Sequence, residues 1–225
     1  MGLLLTPTSK IIPAPRLRAL TQTPRPQTKR DLLFLLGLLN FWIWVPNFAL
    51  HGKPLYQATW GNLDEHLLAP PSLHTPILTL IKHLLQAPSL YLPDYTRPFF
   101  LFVHSRQGLA LGVLCQKRGD IWGLLAYLSK QLDLVTLRWP PYLQALVATT
   151  LLIPEAQNLI WNAPLNVCSH SFKDLLSHRA FHSLPPAWRQ ILNPSLSFTP
   201  CKPLNPASLL PTPDPEAEHL SHDCV

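Results

Sequence analysis

Any chemistry in this chain would have to come from scattered acids, ten histidines and four cysteines. Metal-dependent phosphodiester cleavage needs carboxylates that hold divalent ions about 4 Å apart. Asp94, Asp120 and Asp133 are the nearest candidates. All three fall in segments that read as turns, where Asp is favoured for backbone reasons alone. His170 and His178 share a neighbourhood, and His178 and His182 stand at a spacing that one helical face accommodates. No Glu lies between that second pair as in a zinc protease, so solvent-facing or locally hydrogen-bonded imidazoles are the plainer reading. Cys115, Cys168, Cys201 and Cys224 sit at no metal-knuckle spacing. Cys115 and Cys168 read as core residues. Such spacing suits a reducing, intracellular compartment, cytoplasmic or nuclear. No serine stands in a nucleophile elbow. The expectation is a chain with no catalytic residue, no metal ligand and no cofactor.

The charges point instead to binding. The net charge is +6. Lys10, Arg16, Arg18, Arg25, Lys29 and Arg30 all precede the first acid, Asp31, and the rest of the chain carries bases and acids in equal number. A basic arm of this kind suits nucleic acid or an anionic membrane surface, held weakly and electrostatically. The competing reading of residues 1–30 is a disordered, proline-rich leader that only solubilises the chain. Just beyond it, Trp42, Trp44 and Phe48 offer stacking surface, with Arg25, Lys29 and Arg30 upstream as phosphate contacts. Core packing accounts for the same aromatics.

The elements that must position these residues follow from the apolar pattern. Apolar residues make up 47% of the chain and charged ones 13%, with 26 prolines; long irregular connections are expected. Residues 32–50, from Leu32 to Leu50, are the most hydrophobic stretch. Their uninterrupted part, Leu32 to Val45, is about 14 residues against the roughly 20 of a spanning helix. A buried helix capped by Asp31 and ending near Trp44, before Pro46, is expected in place of a membrane span. Residues 46–74 read as a connection. Thr75-Pro76 reads as the start of a helix whose Ile77, Leu80, Ile81 and Leu84 line one face. Residues 99–103 (FFLFV) read as a strand covered on both faces. Leu109 to Cys115 and Leu124 to Leu128 complete an antiparallel three-strand meander. Tyr142 to Ile153 reads as a buried helix. Leu165 to Cys168 reads as a fourth strand, followed by a helix through Leu176 and another at Trp188 to Leu192. Ser197 and Phe198 begin an edge strand. The end, residues 201–225, is proline-rich and acidic.

In this order the chain resembles the C-terminal half of the reverse transcriptase in gammaretrovirus-like and endogenous-retroviral pol polyproteins. Pro24, Phe41, Trp44, Pro46, Phe48, Pro54, Leu55 and Tyr56 carry the likeness to the thumb and the following linker. Leu92-Pro93-Asp94, Pro98 to Val103, Gln107-Gly108, Gly112-Val113-Leu114, Gln116-Lys117, Ala126 to Lys130 and Trp139-Pro140-Pro141 carry the likeness to the connection domain. Leu204 to Ala207, Leu209-Leu210-Pro211, His222 and Cys224 resemble its end.

The resemblance implies a mixed α/β fold: an RNase H-like connection domain at residues 88–200, preceded by a partial thumb and linker at 31–87. It implies a fragment with neither catalytic centre. The polymerase carboxylates of that family lie in fingers and palm, no YxDD occurs here, and the true RNase H domain would begin about where this chain stops. Where the family often has Asp after the first strand, this chain has His104. The implied partners are an RNA–DNA hybrid, held weakly, or a protein docked on surface that once faced the palm. Membrane association through Leu32 to Leu50 is the remaining alternative.

Overall fold

The computed structural model describes residues 3–39, 41–67, 73–169, 196–199 and 205–211. Two short strands come first, β1 (Leu4–Leu5) and β2 (Ser9–Ile11), then helix α1 (Ala14–Gln22). Ile12 and Leu20 are buried. The expectation of a disordered leader over residues 1–30 therefore fails for these residues. The proline-rich composition hid three apolar anchors, Ile12, Leu17 and Leu20, which pack into a helical core.

Helix α2 (Lys29–Leu38) begins before the expected point. Its N-cap is Thr28, whose hydroxyl accepts from Asp31 N–H while the Asp31 carboxylate accepts from Thr28 N–H. Asp31 is thus the third helical residue, the partner in a capping box, and not the cap itself. The helix also stops early, and Trp42–Trp44 forms a separate 3-10 turn. At about 100° per residue, Leu32, Leu35, Leu36 and Leu39 lie on one helical face, while Phe41, Trp44 and Val45 would fall on the opposite one. Ending the helix lets both sets turn inward, and all seven are buried.

Helix α3 (Phe48–Ala58) occupies much of what reads in the sequence as a connection. Gly52 and Pro54 disguised it, yet both lie within the helix and Leu55 is fully buried. Helix α4 (His74–Leu85) packs on α3 and buries Ile77, Leu80 and Leu84, as its spacing predicts. Strand β3 (Leu90–Tyr91) pairs antiparallel with β2, tying the N-terminal segment to the middle of the chain.

The larger sheet begins with β4 (Phe99–Arg106), β5 (Leu109–Arg118) and β6 (Ile121–Gln131), the expected antiparallel meander with longer strands. Gln107 and Gly108, both at positive φ, form the first turn. Helix α5 (Pro141–Leu159) crosses one face. It runs through Pro154, where the sequence suggests a stop. An internal proline costs about 3 kcal/mol; here Leu152, Ile153 and Ala156 are each fully buried, which offsets it.

Strand β7 (Leu165–Cys168) pairs parallel with β4, and β8 (Leu196–Thr199) pairs parallel with β7 at the edge. The sheet order is β6-β5-β4-β7-β8, a mixed α/β architecture.

Alternation along the strands sends Phe99, Leu101, Val103, Ala110 and Leu114 toward α5. Phe102, Val113, Cys115 and Cys168 go to the other face, where Ala207 covers them. Asn205 fastens that cover by donating to Val103 O at 2.8 Å. The helices expected at Ser169 to Leu176 and at Trp188 to Leu192 lie outside the described residues, apart from Ser169.

Candidate nucleic-acid interface

The five residues proposed to touch nucleic acid do not form one surface. Lys29 stands on the first turn of α2. Its ammonium donates to Trp60 O at 2.9 Å and pairs with the Glu65 carboxylate. Arg30, next to it, pairs with Asp64 at 2.8 Å. Both cations are therefore neutralised by the loop that follows α3. The same loop is held down by hydrogen bonds from Lys29 N–H to Glu65 O and from Arg30 N–H to Leu63 O. Arg25 is exposed on the rim of a cavity of about 490 Å³ between α1, α2 and α4.

Trp44 is buried. Phe41 meets it edge-on at 5.5 Å between ring centroids, and the Lys10 ammonium lies 5.5 Å from its ring. Burial holds the Lys10 pKa below the ordinary lysine value. Trp42 is partly buried and packs against the core of the larger sheet. Arg16 stacks 4.4 Å over the Phe41 ring. Packing thus engages the aromatics expected here. The freely exposed indole of this region is Trp60, at 72% exposure, beside Lys29. Sequence reasoning passed over it; the only available signal was the adjoining Gly61-Asn62 turn.

Three acids were weighed for metal chemistry, and their positions are local. Asp94 accepts from the Thr96 hydroxyl at 2.6 Å, from Thr96 N–H at 3.0 Å and from Arg97 Nε at 2.9 Å. Those bonds, the Thr96 hydroxyl first, hold its carboxyl below the usual range. Asp133 accepts from Thr136 N–H and from its hydroxyl, both at 2.8 Å, and the N–H bond chiefly lowers its pKa. Asp120 sits in the β5–β6 turn. Asp94 and Asp133 each bind groups of their own turn.

His104 lies within β4, opposite Leu111, because the strand runs on to Arg106. Among the described residues no group of three or more His, Cys, Asp or Glu could hold a metal ion. His170, His178, His182, Cys201, Cys224 and the acidic tail lie outside the described residues. Cys115 and Cys168 are free and buried, and burial pushes the Cys115 thiol pKa well up. Among the described residues no helix is long and apolar enough to cross a membrane. Leu32 to Leu50 is divided among α2, the 3-10 turn and the start of α3.

Comparison with known proteins gives this geometry a lineage. Residues 63–167 match the family described as the RNase H-like domain found in reverse transcriptase. The whole chain aligns with the Gag-Pol polyprotein of Baboon endogenous virus (strain M7) at 34% identity, spanning 13% of that polyprotein. It aligns with the Pol polyprotein of Feline endogenous virus ECE1 at 33% identity, spanning 22% of it. The chain thus corresponds to a minor part of the length of these curated relatives.

Among solved structures, it superposes on a foamy viral protease-reverse transcriptase in complex with double-stranded DNA. There the TM-score is 0.77 and the identity 22%, covering 91% of this chain and 37% of that one. A foamy viral protease-reverse transcriptase in complex with RNA/DNA hybrid gives a TM-score of 0.75 at 21% identity, covering 95% and 30%. The chain thus carries an RNase H-like domain of the kind found in reverse transcriptase, related to retroviral Pol polyproteins, and its fold agrees.

Proposed function

We propose that this chain is a non-catalytic, endogenous-retrovirus-derived reverse transcriptase fragment: a thumb remnant over residues 31–87 and a connection domain over residues 88–200. The observation that carries the reading is the use of its strand-end carboxylates. Asp94 and Asp133 already bind turn groups of their own segments, and Asp94 also binds Arg97. Two-ion phosphoryl chemistry would need such groups converging on one point about 4 Å across. The test is a primer-extension assay and an RNA-cleavage assay on a hybrid, each with Mg²⁺ and Mn²⁺. No product above a tag-only control is expected, and metal-dependent product in either assay overturns the reading.

A second reading, weak binding of duplex or hybrid, is favoured by the nucleic-acid complexes of the structural relatives. It is also favoured by exposed Arg18, Arg25 and Trp60. Each phosphate contact contributes a slope of about −0.9 in log K against log salt. Replacing Arg18 and Arg25 by Gln should flatten that slope by about 1.8 if both touch duplex phosphates. Unchanged slope and affinity in the double variant would remove the leader cations from the interface.

A further inference from the structure

Where the N-terminal turn of α3 meets the C-terminal turn of α4, Asn47, His51 and His83 form a run of neighbouring polar side chains without a complete set of partners. Asn47, the N-cap residue of α3, is 97% buried, being only 3% exposed, and its Oδ1 accepts no hydrogen bond. His51, one turn further along the same helix face, presents Nε2 at 3.5 Å from Asn47 Nδ2. His83, from α4, faces His51 with ring centroids 6.0 Å apart at 69°, and its buried Nδ1 also has no partner. Buried polar atoms are satisfied in all but a few cases, so two orphans in one small cluster call for an occupant.

We infer that Asn47, His51 and His83 form a binding site for a divalent transition-metal ion of the zinc class, clamping α3 to α4. The donor set is lone-pair bearing: two imidazole nitrogens and one amide oxygen, with a fourth position left to water. With Zn–N bonds of about 2.0–2.1 Å, two imidazole centroids on one ion stand about 5.2 Å apart at a tetrahedral angle. The observed 6.0 Å corresponds to an angle of about 140°, so the two rings must close by about 0.8 Å to seat the ion.

The dipole of α3 points its positive end here, but α4 contributes its carbonyl end, so the two helix ends oppose each other.

The site is independent of polymerase or nuclease chemistry, and its test needs no catalytic readout. The full chain is titrated with ZnCl₂ by calorimetry while thermal unfolding is followed in parallel. One ion bound with micromolar affinity and a raised Tm are expected. His51→Gln and His83→Gln should each weaken that binding at least tenfold, while His66→Gln leaves it unchanged. Equal zinc affinity and stoichiometry in all three variants would overturn the proposal.

Should His51→Gln or His83→Gln fail to fold, the wild-type chain answers alone. Diethyl pyrocarbonate modification is mapped by peptide mass spectrometry with and without one equivalent of zinc. Protection of His51 and His83, with His66 still reactive, supports the site. Protection confined to other histidines, or none at all, refutes it.

Discussion

Gly112 sits in the middle of β5, between Val103 of β4 and Leu128 of β6, on the face covered by α5. A Cβ there would lie 3.0 Å from Leu152 Cδ1, 3.2 Å from Leu128 Cβ and 3.4 Å from Leu101 Cδ1. The Leu128 contact is fixed to backbone and cannot rotate away. Gly112 is therefore the gap into which Leu152 inserts from α5, and Leu152 is fully buried there. Gly112→Val overpacks this point at a cost of about 1–3 kcal/mol, after the strand's backbone gain of roughly 0.5–1 kcal/mol is set against it. Leu152→Ala alone leaves a cavity and should cost about 2–5 kcal/mol. The valine adds as many carbons as the leucine loses, so the double variant should be more stable than the sum of the two by about 1–3 kcal/mol. Urea unfolding of the four proteins, followed by far-UV circular dichroism, measures the coupling. Additivity within about 0.5 kcal/mol would mean that the helix does not seat on the glycine, and the packing of α5 on the sheet would have to be redrawn.

Other perturbations test other parts of the structure. Val103 is 1% exposed at the centre of the sheet, so Val103→Asp buries an unpaired carboxylate and should destabilise by about 3 kcal/mol or more in the same urea assay; a loss no greater than that of Val103→Ala would refute its placement. Cys115 and Cys168 should resist iodoacetamide until the chain is unfolded, as read by peptide mass spectrometry, because both are buried and the Cys115 thiol is held protonated. Without added metal, His51 and His83 make stability fall with acidification: their folded pKa values lie below the unfolded 6.5, so the unfolded chain binds more protons in that window. Stability should be highest above about pH 6.5 and decline below it, before the lowered carboxyls of Asp94 and Asp133 begin to protonate below about pH 4. A Tm flat from pH 7.5 to 5.0, or a fall left unchanged by His83→Gln, would argue against the buried pair.

The meander was readable because period-two alternation and turn residues act locally. Gln107-Gly108 and the Lys117–Asp120 segment mark both hairpins without reference to the rest of the chain. The strand at Leu165 to Cys168 and the edge strand around Ser197 were readable for the same reason. What stayed hidden depended on partners distant in sequence. Residues 3–22 look like a polar, proline-broken leader until β2 pairs with β3, some eighty positions on. Helix α3 was masked by Gly52 and Pro54, whose local penalties are outweighed by the burial of Leu55 and by a bond from Ala49 N–H to the Ser129 hydroxyl of β6. Trp44 and Trp60 illustrate the same limit: sequence cannot say which indole is buried, because that is decided where the chain turns after Leu38.

The positive leader is the feature most altered by folding. Of its six cations, Lys10 lies over Trp44, Arg16 over Phe41, Lys29 against Glu65 and Arg30 against Asp64. Arg18 and Arg25 remain exposed without an ion pair among the described residues. The engaged charges are not equal in their availability. Lys10 is half-buried, so withdrawing it from Trp44 would uncover an indole that packs in the core. The Arg30–Asp64 pair is exposed on both sides, and such pairs contribute about 0–1 kcal/mol. A phosphate could therefore displace Asp64 from Arg30 at little cost, but Asp64 and Glu65 would remain beside it and repel the backbone. A duplex approaching this face meets fewer usable cations than the sequence total suggests, and it meets them beside acids. The net charge of +6 thus overstates the attraction, and the weak, salt-sensitive character of the second functional reading follows from the fold as much as from composition.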